Sequence, residues 1–151
     1  MCAGGAANQA IALARLGAPV RLHSRVGVDQ MGVFVDEMLA REGVDTSSCE
    51  RVGDQNVTVS LSFDGDRAMT TRGTTALPRL GGDAPACLLA DVRGIGANSE
   101  VVSSWRARGT WVLADTAWDE AGAWDEADLE ALHLADVCTP NEEEALAYAR
   151  T

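Results

Sequence analysis

The chain contains no lysine: all twelve of its basic residues are arginine. That excludes a phosphate-binding loop of the G-x-x-x-x-G-K type and the nucleotide-binding lysine of a protein kinase. Against those arginines stand 23 acidic residues, for a formal net charge of −11 over 151 residues. With no basic stripe to displace counterions, nucleic acid is excluded as a partner. Cysteine is sparse. Cys2, Cys49, Cys87 and Cys138 are scattered, with no C-x-x-C and no histidine close by. The expectation is reduced, mostly buried thiols in a cytoplasmic protein rather than a zinc set or a redox pair. No apolar run reaches membrane-spanning length. The Ala-rich start lacks a basic leader and carries Asn8 and Arg15, which argues against a signal peptide. Repeats and low-complexity tracts are absent. His23 and His133 stand alone and receive no catalytic role, and no G-x-G-x-x-G follows a strand, which argues against an NAD-type enzyme.

What is present begins at once. Gly4-Gly5-Ala6-Ala7-Asn8-Gln9-Ala10 runs into the helical spacing of Ile11, Leu13, Ala14 and Leu16. Paired glycines let a ligand approach the backbone without a Cβ in the way. The helix that follows directs its free N–H groups at the same space. Asn8, in the first turn, adds an amide able to donate and accept, which suits a polyol. The plainer alternative is a glycine-containing loop ahead of an Ala-rich helix.

Gly17 and Pro19 close that helix. Val20, Leu22, Ser24 and Val26 alternate as a strand. Asp29 is an N-cap for a helix whose one face carries Met31, Phe34, Val35, Met38 and Leu39, ended by Gly43. This rhythm of helix, strand and glycine junction argues for α/β layering in one domain. Val57, Val59, Leu61 and Phe63 then alternate with Thr58, Ser60 and Ser62. Asp64-Gly65 makes a turn, and Arg67 to Arg72 return as the partner strand, so residues 52–75 read as a β-hairpin flap.

Beyond Pro78, Asp83-Ala84-Pro85 resembles a helix start with Leu88, Leu89 and Val92 at helical spacing. A parallel sheet wants a strand here, so either residues 86–92 supply it or it is missing. A helix spans Ser99 to Arg108, closed by Gly109. Thr110 to Ala114 reads as a buried strand. Asp115 lies at its carboxyl end, where doubly wound sheets bind ligands, or else begins the 115–118 turn. Leu129, Leu132 and Ala135 mark a short helix and 136–139 a short strand. Pro140-Asn141-Glu142-Glu143-Glu144 opens a last helix. Asn141 with Glu144 is a capping box, a metal-organising pair, or both. Residues 76–151 hold 14 acidic residues against 5 arginines. Much of that excess falls on helical segments such as Asp125 to Glu130, an ordinary solvated face.

Taken together these residues resemble the ribokinase-like (PfkB) carbohydrate kinase family. Gly4, Gly5, Ala6, Asn8, Ala10, Gly17 and Gly27 fall at the spacing of its amino-terminal signature. Gly27-Val28-Asp29-Gln30-Met31-Gly32 looks like its Gly-x-Asp-x-x-Gly segment, the hairpin like its lid, and Asn141 to Glu144 like its Asn-x-x-Glu motif. The resemblance implies a layered α/β/α, Rossmann-like sheet with a small antiparallel lid, and transfer of the ATP γ-phosphoryl group to a sugar or nucleoside hydroxyl with Mg²⁺. It assigns the sugar to Gly4, Gly5, Asn8 and Asp29, and Mg²⁺ and phosphate to Asn141 and Glu144. Asp115 is a candidate to line the site, although the Asn and Arg that often follow the corresponding Asp are absent after it, and a homodimer through the lid is a further expectation. The family's Gly-Ala-Gly-Asp segment with the catalytic base does not occur here, nor does the adenine region or the first strand. The expectation is an incomplete kinase domain, truncated at both ends, with no catalytic residue of its own and no useful turnover alone. The competing expectation is a non-catalytic sugar-binding or dimerising module.

Overall fold

Three helices of this chain end in the same way. The helix α1 (Gly5–Arg15), the helix α2 (Gln30–Arg41) and a later one at 99–107 are followed by Gly17, Gly43 and Gly109 at φ of 86°, 80° and 95°. In each, the glycine N–H and the next N–H return to the last-turn carbonyls, as Gly17 to Ala14 and Ala18 to Leu13. This is the Schellman closure, and only glycine adopts that backbone without strain. The predicted stops therefore stand where the glycines put them.

The structure is a computed structural model that describes residues 4–64, 66–73, 77–116, 122, 124 and 126–149. Cys2, the turn glycine Gly65, the lid residues Thr74 and Thr75, Ala117 and Trp118 of the predicted turn, and Asp125 lie outside the described residues. The chain divides into two compact units, Met1–Pro78 and Arg79–Thr151.

In the first unit, β1 (Arg25–Val26) pairs in parallel with β2 (Glu50–Arg51), and Arg21 bridges Asp45. The alternating run from Val20 is thus a strand only at its ends. Its partner chain turns at 46–49, with the Cys49 N–H closing on the Thr46 carbonyl at 2.9 Å, and that turn breaks the ladder. Ala10, Leu22, Val26, Leu39, Val44 and Cys49 form the core. The expected apolar face of α2 is only partly used: Leu39 is 1% exposed, but Met31 and Phe34 are 46% and 48% exposed. The hairpin pairs β3 (Val57–Phe63) with β4 (Asp66–Arg72), in register from Val57↔Arg72 to Phe63↔Asp66. Asp64 at φ 43° suits the tight turn that matches strand twist. Every residue of β3 is exposed. Alternation places Val57, Val59, Leu61 and Phe63 on one side of the ribbon, and Thr58 and Thr71 share a 2.9 Å hydroxyl bond on the other.

The second unit is built on three parallel strands, β5 (Cys87–Asp91), β6 (Trp111–Asp115) and β7 (Val137–Cys138), in that order. The helix expected from Asp83 is not formed. Residues Cys87–Asp91 are the strand that the sheet required, and α3 (Val92–Ala97) starts immediately after it. A five-residue apolar run carries no periodicity able to separate the two readings. The separation comes from Asp91, whose carboxylate accepts the Gly94 N–H at 2.6 Å and so begins the helix after the run, not before it. The helix α4 (Ser99–Ala107), α5 (Glu126–Glu130), a 3-10 turn (Ala131–Leu134) and α6 (Glu142–Ala149) complete the unit. Leu88, Val112 and Ala114 of the strands pack with Val92, Ile95, Val102, Trp105, Ala131 and Leu134. Burial of each large member contributes about 1.5–3 kcal/mol before entropy is counted. The cysteines correct one expectation: Cys49 is buried, but Cys87 and Cys138 are exposed. Both lie on the two outer strands of the three-stranded sheet, β5 and β7.

Candidate functional site

Gly4 has φ 120° and ψ 138°, and no side chain caps α1. At neither Gly4 nor Gly5 would an added Cβ meet any atom within 4 Å. Among the described residues nothing fills the space beside these two glycines, and the first N–H groups of the helix face it. Asn8 bonds through its backbone N–H to the Gly4 carbonyl at 3.0 Å, so it sits one turn above that space. Its side chain is exposed, not packed in the core.

Gly27 and Gly32 answer to a different demand. A Cβ on Gly27 would lie 2.7 Å from Gln55 Cα, and one on Gly32 would lie 2.7 Å from Gly27 Cα. The two glycines let the start of α2 rest on the end of β1. Asp29 between them accepts the Gly32 N–H at 2.8 Å, as an N-cap. The Gln55 side-chain oxygen accepts the Gly27 N–H at 2.9 Å and pins the loop from the other side. Beside it, Arg25, Gly53, Asp54, Gln55, Arg72 and Gly73 surround an open cavity of about 330 Å³ at the foot of the hairpin. Nothing in the sequence pattern singled out these arginines, which are separated by 47 positions and meet only through the hairpin.

In the second unit the parallel strands bring Asp91 and Asp115 into register at their carboxyl ends. Asp91 is used as the cap of α3. Asp115 is followed by Thr116, only 3% exposed, whose hydroxyl donates to Glu144 Oε2 at 2.7 Å. Glu144 is 6% exposed. The same oxygen accepts the Asn141 N–H at 3.0 Å, and Asn141 Oδ1 accepts the Glu144 N–H at 2.8 Å. The capping box is therefore formed in full, with a threonine added. Thr116 was not foreseen; its only signal is its place directly after the strand-ending acid. Asp115 and Glu144 both act on the Cys138 thiol, which desolvation first, then these two carboxylates, pushes above its ordinary range. The three groups thus share one end of the sheet.

Among the described residues no three His, Cys, Asp or Glu side chains gather to hold a metal. One buried carboxylate held by two donors fits a hard cation bound mainly by phosphate oxygens and water, as Mg²⁺ is in nucleotide sites. A concavity of about 480 Å³ in this unit, lined among others by Ser103, Arg106, Trp111 and Asp136, opens at the amino ends of the strands instead. There Asp136 accepts from the Val112 N–H and from Arg106, which hold its carboxyl below the usual range.

Residues 1–76 match the profile of the pfkB family carbohydrate kinases. A 2-dehydro-3-deoxygluconokinase of Bacillus subtilis (strain 168) is 46% identical over 56 residues, 37% of this chain and 17% of that protein. A fructokinase from Xylella fastidiosa superposes with a TM-score of 0.81 at 26% identity, over 99% of this chain and 53% of its own. The same enzyme with bound ATP gives 0.80 at 27%, with the same coverage. A PfkB protein from Polaromonas sp. JS666 matches in fold, with a TM-score of 0.81 at 23% identity over 99% and 58% of the two chains. The chain thus spans about half the length of these solved relatives. Its helices and parallel strands follow the ribokinase-like architecture throughout, and with a family match over half its residues the chain belongs to the pfkB family of carbohydrate kinases.

Proposed function

We propose that this chain carries the sugar-binding and lid half of an ATP-dependent carbohydrate kinase. The observation that carries the reading is the contrast among its glycines. Gly27 and Gly32 are demanded by the chain's own packing, whereas a Cβ on Gly4 or Gly5 would meet no atom of the described residues within 4 Å. Open glycines at a helix start suit a ligand that comes close to the backbone. Gly4 and Gly5 admit the sugar, Asn8 orients a hydroxyl by donating and accepting, and Asp29 fixes the loop beside it. The hairpin is the lid that excludes water once the sugar is bound.

Phosphoryl transfer asks for positioning and charge neutralisation rather than covalent chemistry by the protein. Asn141 and Glu144 would hold Mg²⁺ and phosphate, with Asp115 lining the same end of the sheet. When bound, Mg²⁺ supplies neutralisation of the phosphate charge. ATP as donor is supported by the ATP-bound fructokinase relative. The general base and adenine site belong to sequence that these residues do not contain, and the setting is cytoplasmic. Titration calorimetry with a panel of pentoses, hexoses and nucleosides tests the reading. Heat with at least one, lost in Asn8→Ala, supports it; no heat with any would end it.

A second reading, a dimerising module, is favoured by one observation. Val59, Leu61 and Phe63 are 50–61% exposed along a single face of the hairpin. A ribbon with an apolar face and free edges is self-complementary to a second copy. Sedimentation equilibrium separates the readings: a monomer at micromolar concentration removes the dimer.

A further inference from the structure

We infer that Thr116 is a positioning residue at the carboxyl end of the sheet: its hydroxyl fixes which oxygen of Glu144 is presented outward, and so how tightly a divalent cation is held there. The cation part of this statement rests on the role proposed above for Asn141 and Glu144; the hydrogen bonds that carry it do not. A capping box asks for one bond in each direction. Here it is complete without Thr116, since Glu144 Oε2 accepts the Asn141 N–H at 3.0 Å and Asn141 Oδ1 accepts the Glu144 N–H at 2.8 Å. The Thr116 hydroxyl donates a further bond, at 2.7 Å, to that same Oε2 from 28 positions away in the chain.

Both donors thus converge on one oxygen. Among the described residues none donates to Glu144 Oε1. Nor is any buried side-chain nitrogen or oxygen among them left without a partner. Oε1 is therefore the atom through which this otherwise buried side chain reaches the surface. A carboxylate this buried needs its donors, because desolvation penalises the charge. Two donors on Oε2 meet that need on one side only and leave Oε1 to a cation.

The two bonds have different effects. The Asn141 N–H lies in the turn that opens α6, so it travels with Glu144. One such donor leaves the last torsion of the glutamate free to turn, since that torsion has a broad minimum. Thr116 follows β6 instead, so its bond ties the carboxylate to the sheet beside Asp115. Threonine suits the task, being β-branched and stiff, and here only 3% exposed. The plainer reading is a buried hydroxyl that has merely found an acceptor. Valine separates the two, because it keeps the shape and the capping box and removes only the hydroxyl. Loss of a group that orients a metal-binding side chain costs about 10–100-fold in metal affinity.

The test titrates Mn²⁺, a paramagnetic stand-in for Mg²⁺, into the 151-residue chain with inorganic phosphate present. It reads the broadening of the Asp115 and Glu144 amide signals. The parent should broaden there first, and saturably. Thr116→Val should need about ten-fold more Mn²⁺ for the same broadening, and Thr116→Ser should return to the parent midpoint. Ile95→Val, which trims the core elsewhere in the unit, should lower the melting temperature and leave the midpoint alone. A measurement on the parent needs no variant to fold: Mg²⁺ should shift the Thr116 hydroxyl proton together with the Glu144 amide. Equal midpoints for the parent and Thr116→Val, no rescue by serine, an equal shift in Ile95→Val, or a hydroxyl proton that ignores Mg²⁺ would each overturn the inference and leave the cation reading in place. A parent without saturable broadening would remove the cation reading itself, and the inference with it.

Discussion

At the scale of single residues the glycines give the sharpest expectations, because the same substitution should act oppositely at two of them. Gly5→Ala places a methyl in open space on a helix, so stability should hold or rise by up to about 1 kcal/mol. Sugar affinity, read by calorimetry, should fall at least about ten-fold. Gly32→Ala drives a Cβ onto the Gly27 backbone, so the protein should lose about 1–3 kcal/mol or fail to fold, as urea unfolding would show. Equal losses at both positions would remove the distinction between a packing glycine and a ligand glycine. Asp36 offers a test in pH. The Thr46 hydroxyl at 2.6 Å, and then Arg51 at 2.9 Å, hold its carboxyl below the usual range. A depressed folded-state value stabilises above the unfolded-state pKa, near 3.9, and is lost as pH falls through the folded-state value. Asp36→Asn should therefore be less stable than the parent at pH 7, by at most about 1 kcal/mol since the pair is partly solvated. The gap should narrow as the pH falls below about 3.9 and close once the pH lies below the folded-state value.

At the scale of elements, the capping box of α6 separates local from functional demands. Asn141→Ala should cost about 1 kcal/mol of stability through the lost cap. Thr116→Val leaves that cap in place but removes the hydroxyl bonded to Glu144. If Glu144 holds Mg²⁺ as proposed, Thr116→Val should weaken Mg²⁺ binding by calorimetry, and Thr116→Ser should restore it. What could be read from the sequence follows the same division. Helix ends and caps were legible, since Gly17, Gly43, Asp29 and the Asn141–Glu144 pair encode local hydrogen bonds that hold whatever surrounds them. The hairpin was legible from alternation about Asp64-Gly65. The strand Cys87–Asp91 was not, because five apolar residues fit either structure and the choice lay in the neighbouring β6. Nor was the place of Arg25 and Arg72 in the lining of one cavity, which depends on where a hairpin returns. The exposure of Phe34, Cys87 and Cys138 escaped for the same reason. An apolar residue states that it tolerates burial, not that a partner is present to bury it.

At the scale of the molecule, the Gly-Ala-Gly-Asp segment that the resemblance led us to expect does not occur in these 151 residues, and this matters more than any side chain discussed above. A general base contributes on the order of 10²–10⁴ in rate, so the 151 residues alone should release no ADP above background with any sugar. Steady turnover in a coupled assay would mean that the base lies within this chain. The chemistry of the thiols offers a way to follow binding without turnover. Cys49 is sealed in one core and its thiol is pushed up chiefly by burial, so it should resist alkylation while the fold holds. Cys87 starts β5, at the amino edge of the sheet, whereas Cys138 ends β7 beside Asp115 and Glu144. With Cys2 replaced by serine, a maleimide dye would report on two opposite rims of one sheet. Occupancy near the acidic rim should slow labelling of Cys138 and spare Cys87, which makes the chain its own internally referenced sensor.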